Sequence, residues 1–130
     1  REEDRKEKLL GITAWTNLSL ERLEELYQRY GTRVEEMAIF IAENSNKPLD
    51  SLPTYSYGEI TFLAQKEKVV HLDDLVLRRT HIAKLGLLTA SLLVELADIL
   101  AEALGWSDEE RDAEMLRTSQ IMASKHGVTL

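Results

Sequence analysis

From Leu20 onward, apolar side chains recur at positions 20, 23, 26, 27 and 30 with glutamates and arginines between them, the period of an amphipathic helix. Ser19 has the chemistry of an N-cap and Gly31 that of a stop, since glycine accepts the left-handed backbone of many helix ends. Thr32 and Glu35 have capping-box spacing and predict an immediate restart. MAIFIA, residues 37–42, is apolar on every side, so this second helix is expected to be central and buried. Asn44, Ser45, Asn46, Pro48, Asp50, Ser51 and Pro53 crowd the next stretch and predict a loop over 44–57. Ser56 and Glu59 make a second capping box, opening a helix to about Lys68 with Ile60, Leu63 and Ala64 inward. In Val69–Thr80, VVHLDDLVLRRT, Asp73 and Asp74 fall in a first turn and Arg78 and Arg79 in a last, the charge order that the helix dipole favours. Asp74 stands four residues before Arg78, a same-face pair worth about 0.2–0.5 kcal/mol when exposed. TASLLVELADILAEALG, starting at Thr89, reads as the cleanest helix, with Leu92, Leu93, Leu96, Ile99, Leu100, Ala103 and Leu104 on one face and Gly105 ending it. Ser107 and Glu110 form a third capping box for a last helix that runs to about Lys125 and stops at Gly127. No stretch alternates long enough to argue for a strand. The expectation is an all-α domain of five to six helices, orthogonal or bundle-like.

Residues 1–8, REEDRKEK, are all charged, and the first residue is not methionine. Residues 1–15 therefore read as a linker or tail left from a preceding domain, a solvated helix included, with 16–130 as the folded domain. Within 9–18 Trp15 is the one side chain large enough to anchor a loop. A chain of 130 residues is long enough for one real core. Its net charge of −7 argues against a nucleic-acid partner, and a helix-turn-helix built on residues 20–43 fails on the same ground. The absence of cysteine removes disulfides, thiolate chemistry and cysteine zinc sites. No apolar run approaches the roughly 18 residues a membrane-spanning helix needs.

Glu95, Asp98 and Glu102 share a helical face at metal-ligand spacing, but no Glu-x-x-His motif faces them, so they read as a solvated acidic face. His71, His81 and His126 lack the spacing of a zinc site, and His126 beside Lys125 suits a helix C-terminus. Neither a glycine-rich phosphate loop nor a nucleophile elbow is present, so no catalytic, cofactor-binding or metal residue is assigned. Arg78 and Arg79 are the principal candidates, because guanidinium groups hold carboxylates and phosphates through paired hydrogen bonds. Neighbouring helix residues point about 100° apart, so one arginine is expected to be tied internally, to Glu67 or Asp74, while the other faces outward.

The wider pattern E-x-x-x-x-L-D-D-x-x-x-R-R-T, residues 67–80, resembles the C-terminal helical domain of FAD-dependent glycerol-3-phosphate dehydrogenases and glycerophosphate oxidases. LYQRYGTRVEEMA at 26–38 resembles the same family's R-Y-G-x-R helix junction, and LAEALGWSDEER at 100–111 its L-G-W turn. Glu59 falls where the family's preceding helix carries a glutamate, whereas His71 stands where relatives have threonine, so that helix is expected to be capped differently. The resemblance implies a cap domain that braces a larger flavin domain and is not catalytic alone. Arg78, Arg79 and Thr80 would supply the interdomain or anion contact, with Glu67, Asp73 and Asp74 as supporting ion pairs. It further implies that the intact enzyme oxidises sn-glycerol 3-phosphate to dihydroxyacetone phosphate with FAD, passing electrons to a quinone, and lies peripherally on the cytoplasmic face of the cell membrane. Oxygen as acceptor and homo-oligomerisation both stay open. A free-standing helical protein-interaction module is the rival from a different class.

Overall fold

The computed structural model describes residues 1–130 and is all-α. The elements are α1 (Glu2–Thr16), α2 (Leu20–Tyr30), α3 (Val34–Glu43), α4 (Tyr57–Lys66), α5 (Leu72–Asp74, continued by a π-helical turn over Leu75–Arg79), α6 (Ala90–Leu104) and α7 (Asp108–His126). Helix α4 packs between α3 and α6, α6 packs between α4 and α7, and α1 lies against α2 and α3. No helix is long and apolar enough to cross a membrane.

The charged N-terminal stretch forms the first half of helix α1, and the second half of that helix joins the core. Its first turn carries Glu2, Glu3 and Asp4 against the positive end of the dipole. Leu9 and Ile12, one turn apart on the inner face, are 0% and 2% exposed. The helix ends where Asn17 turns left-handed at φ 60°. Trp15 anchors nothing: it is 62% exposed, because the helix rotates it away from the face that Leu9 and Ile12 bury.

Ser19 caps α2 by accepting from Arg22 N–H, and Gly31 closes it at φ 57°. The restart differs from the expected Thr32–Glu35 box. A 3₁₀ turn over Gly31–Arg33 carries the chain directly into α3 at Val34, and no side chain caps that end. In the apolar MAIFIA segment Met37, Ala38 and Ile41 are buried, Ile39 and Phe40 partly so, and Ala42 is exposed. Gly58 permits the close approach of α4 to the end of α3, since a β-carbon there would stand 2.4 Å from Ser45 O and 3.1 Å from Ile41 Cα. Phe40 and Phe62 meet edge to face across the same seam, 5.2 Å between ring centres.

The 44–56 loop is tied down at both ends. Leu49 N–H donates to Tyr55 O and Tyr57 N–H to Lys47 O, both at 2.9 Å, and Leu49 and Tyr55 are buried. Glu95 of α6 holds its middle, accepting from Asp50 N–H at 2.7 Å, Ser51 N–H at 2.9 Å and the Tyr57 hydroxyl at 3.0 Å. The acidic face of α6 is thus not simply solvated: Glu95 is a loop clamp, and Asp98 pairs with Arg111 at 3.1 Å. Partial burial pushes the Glu95 carboxyl up, but the backbone donors of Ser51 and Asp50 and the Tyr57 hydroxyl outweigh it and hold the group below the usual carboxylate range. The Ser107–Glu110 capping box forms in full, Gly105 ends α6 at φ 74°, and Gly127 ends α7 at φ 66°.

Candidate functional site

A cleft of about 410 Å³ opens where the C-terminus of α2, the last residues of the 44–56 loop, the end of α4 and the π turn converge. Its floor is a buried polar cluster. Ser56 Oγ accepts from Glu59 N–H, which is half of the expected capping box, while the Glu59 side chain makes its main hydrogen bonds elsewhere. It turns inward, is 0% exposed, and accepts from Arg29 Nη1 through both oxygens at 3.0 Å and from the Tyr30 hydroxyl at 2.5 Å. The Arg29 guanidinium also lies 3.7 Å from the centre of the Tyr55 ring.

Burial pushes the Glu59 carboxyl above its ordinary range, against the pull of Arg29, the Tyr30 hydroxyl and the Ser56 contact. Burial and the Glu59 charge drive the Tyr30 hydroxyl strongly upward, so Tyr30 stays a neutral donor. Burial likewise raises Tyr55, with Arg29 opposing. Arg29 is therefore fixed from two sides, while its Nη2 and Nε make no hydrogen bond within the chain.

The cleft wall is the π turn. Leu77, Arg78, Arg79 and Thr80 all line it, followed by His81 and Lys84. Both arginines border one cavity, although neighbours in a helix diverge by about 100°. The wider i→i+5 winding also moves the ion pair: Asp74 meets Arg79, five residues on, at 3.7 Å, and not Arg78. Glu67 lines the cleft but bonds to Arg33, and Asp73 pairs with Arg117 of α7 at 2.9 Å. The Thr80 hydroxyl is committed internally, donating to Leu75 O at 3.0 Å and accepting from Ile82 N–H at 3.3 Å. Of nine arginines in the chain, Arg78 alone has no carboxylate partner; each of the other eight forms an ion pair.

Position 71 has its own solution for starting α5. Glu114 of α7 accepts from Leu72 N–H with one oxygen and meets His71 Nδ1 with the other, each at 2.8 Å, so a carboxylate from a distant helix does the work of a local cap. His71, Asp73 and Glu114 thereby come within ligand reach of one another, a grouping no sequence spacing reveals. Arg117 already takes Asp73 Oδ1, and Leu72 N–H takes Glu114 Oε1.

Arg29, Tyr30, Tyr55, His81 and Lys84 were not legible as cleft residues from periodicity. The R-Y-G-x-R string at 29–33 and the glutamate at 59 were the available signals, but nothing local said that they meet.

The fold and cleft define an all-α domain with a cationic recess on an acidic body. The model of the family described as the C-terminal domain of alpha-glycerophosphate oxidase matches residues 3–111, and the chain belongs to that family. It is similar to a Mycobacterium leprae glycerol-3-phosphate dehydrogenase, 28% identical over 110 residues, covering 80% of this chain and 18% of the relative. A Mycobacterium tuberculosis glycerol-3-phosphate dehydrogenase 2 is 28% identical over 100 residues, 72% of this chain and 17% of its own. A probable mitochondrial glycerol-3-phosphate dehydrogenase of Dictyostelium discoideum is 34% identical over 106 residues, with shares of 80% and 16%. The chain thus spans less than a fifth of the length of the curated relatives it matches. No solved structure matches it.

Proposed function

We propose that these residues serve as the helical C-terminal domain of a flavin-dependent glycerol-3-phosphate dehydrogenase. The intact enzyme converts sn-glycerol 3-phosphate to dihydroxyacetone phosphate, FAD in a separate domain of the same polypeptide takes the hydride, and a quinone receives the electrons. The helical domain braces that flavin domain and is inactive alone. Attachment to the cytoplasmic membrane face belongs to the intact enzyme, since the acidic surface here lacks the basic amphipathic helix that such attachment uses. Support comes from the relatives' names and from the small share of their length that this chain spans.

Arg78 and Arg79 form the contact to the flavin domain or to an anion held against it, with Thr80 fixing the turn that presents them. The carrying observation is Arg78, a guanidinium without a partner in a chain that pairs every other arginine. Charge reversal in the full-length enzyme tests this. Arg78→Glu and Arg79→Glu are expected to lower turnover and to speed proteolytic cleavage between the domains. Unchanged turnover and unchanged cleavage in both variants would remove the contact from the cleft.

A further inference from the structure

The convergence of unpartnered cations on one recess goes further than an acidic docking partner requires. Lys84 has no carboxylate partner and no hydrogen bond, Arg78 has none, and Arg79 keeps only the 3.7 Å contact to Asp74. Arg29 adds free guanidinium nitrogens from the floor, already held in place by Glu59 and Tyr55. The one carboxylate on the lining, Glu67, is half-buried and is taken by Arg33. A single carboxylate would satisfy one of these cations and leave the rest facing each other. A terminal phosphate presents three strong acceptor oxygens and close to two negative charges at neutral pH, which matches several convergent donors. The recess, at about 410 Å³, has the size of a small-molecule site. Leu63, Leu77 and the buried Tyr55 ring give it an apolar side for a short organic group.

We infer that the cleft between the α2 C-terminus and the π turn binds a small phosphomonoester, its phosphate on Arg78, Arg79 and Lys84 and its organic part toward Tyr55 and Leu77. A membrane headgroup carries the same phosphate chemistry, but a concave recess suits a free molecule better than a bilayer surface. The inference rests on the reading of Arg78 and Arg79 as an anion contact. It fails separately from the interdomain proposal, because its test needs only the 130-residue chain, which has a core of 28 buried residues of its own.

The probes are inorganic phosphate, phenyl phosphate and acetate, titrated at constant ionic strength while backbone amide resonances are followed. Saturable shifts confined to Tyr55 and to Leu77–Lys84 are expected, with phenyl phosphate tighter than phosphate and acetate weakest. Arg78→Ala is expected to weaken phenyl phosphate binding at least about tenfold, as loss of a charge-assisted bond implies. Lys84→Ala should weaken it less, and Lys125→Ala, outside the cleft, not at all. Circular dichroism confirms that each variant is folded. Non-saturable shifts, equal response to acetate and phosphate, or variants that bind like the parent would overturn the inference. So would tighter binding of a polyglutamate peptide, or binding seen only with vesicles containing phosphatidic acid.

Discussion

Glu59 is the residue on which the cleft stands. A fully buried carboxylate is tolerable only when its charge is matched and its lone pairs are filled, and here Arg29 and the Tyr30 hydroxyl do both. Glu59→Ala leaves a guanidinium and a hydroxyl without their partner. The expected loss is about 3–5 kcal/mol, read as a lower urea midpoint, with the low end reflecting water reaching Arg29, whose side chain is 16% exposed. An unchanged midpoint would mean that the cluster adds nothing. The sequence half disclosed this residue. Ser-x-x-Glu spacing correctly gave the start of α4, because the serine hydroxyl needs only the backbone three residues on. The glutamate's inward turn depends on Arg29 arriving from thirty residues away in the chain, which no local spacing encodes.

At the scale of elements, what was legible followed from local hydrogen bonding and periodicity, and what was missed came from contacts between elements. The Ser107–Glu110 box and the glycine stops at 31, 105 and 127 form as local chemistry dictates. Thr32–Glu35 has the same spacing but no cap forms, since the 3₁₀ turn after Gly31 delivers the chain to α3 already wound. Nor could α5 be read as a π turn, for its widening is held by Thr80 on Leu75 O and its start by Glu114 from α7. The α6 acids were legible as a face, but not as a clamp on the 44–56 loop. That clamp has a pH signature. With its folded pKa depressed, Glu95 binds fewer protons in the native than in the unfolded chain, so its contribution is present above the ordinary carboxylate pKa and lost as pH falls through the folded value. Urea unfolding of the parent and of Glu95→Gln, compared from neutral pH down through the acid range, is expected to show a stability gap that narrows as pH falls. A gap independent of pH would mean that Glu95 gains nothing from its charge in the folded state.

On the scale of the whole molecule, α1 decides how much of the chain is one cooperative unit. By charge alone, residues 1–15 look like a tail, yet the family match already begins at residue 3. Leu9 and Ile12 are buried against α2 and α3, and Arg5 pairs with Glu24 of α2 at 3.5 Å. Each fully buried aliphatic side chain of this size is worth about 1.5–3 kcal/mol relative to exposure, so the two together contribute roughly 3–6 kcal/mol. The Arg5–Glu24 pair adds little, being partly solvated. Domains of this size have stabilities of about 5–15 kcal/mol, so deletion of residues 1–15 is expected to remove a large fraction of the total. It would also expose the apolar patches on α2 and α3 that α1 covers. The expected result is a lower urea midpoint, with dye binding to exposed apolar surface already at low urea. A truncated chain with the parent's midpoint would make α1 a dispensable tail and place the domain's start at α2.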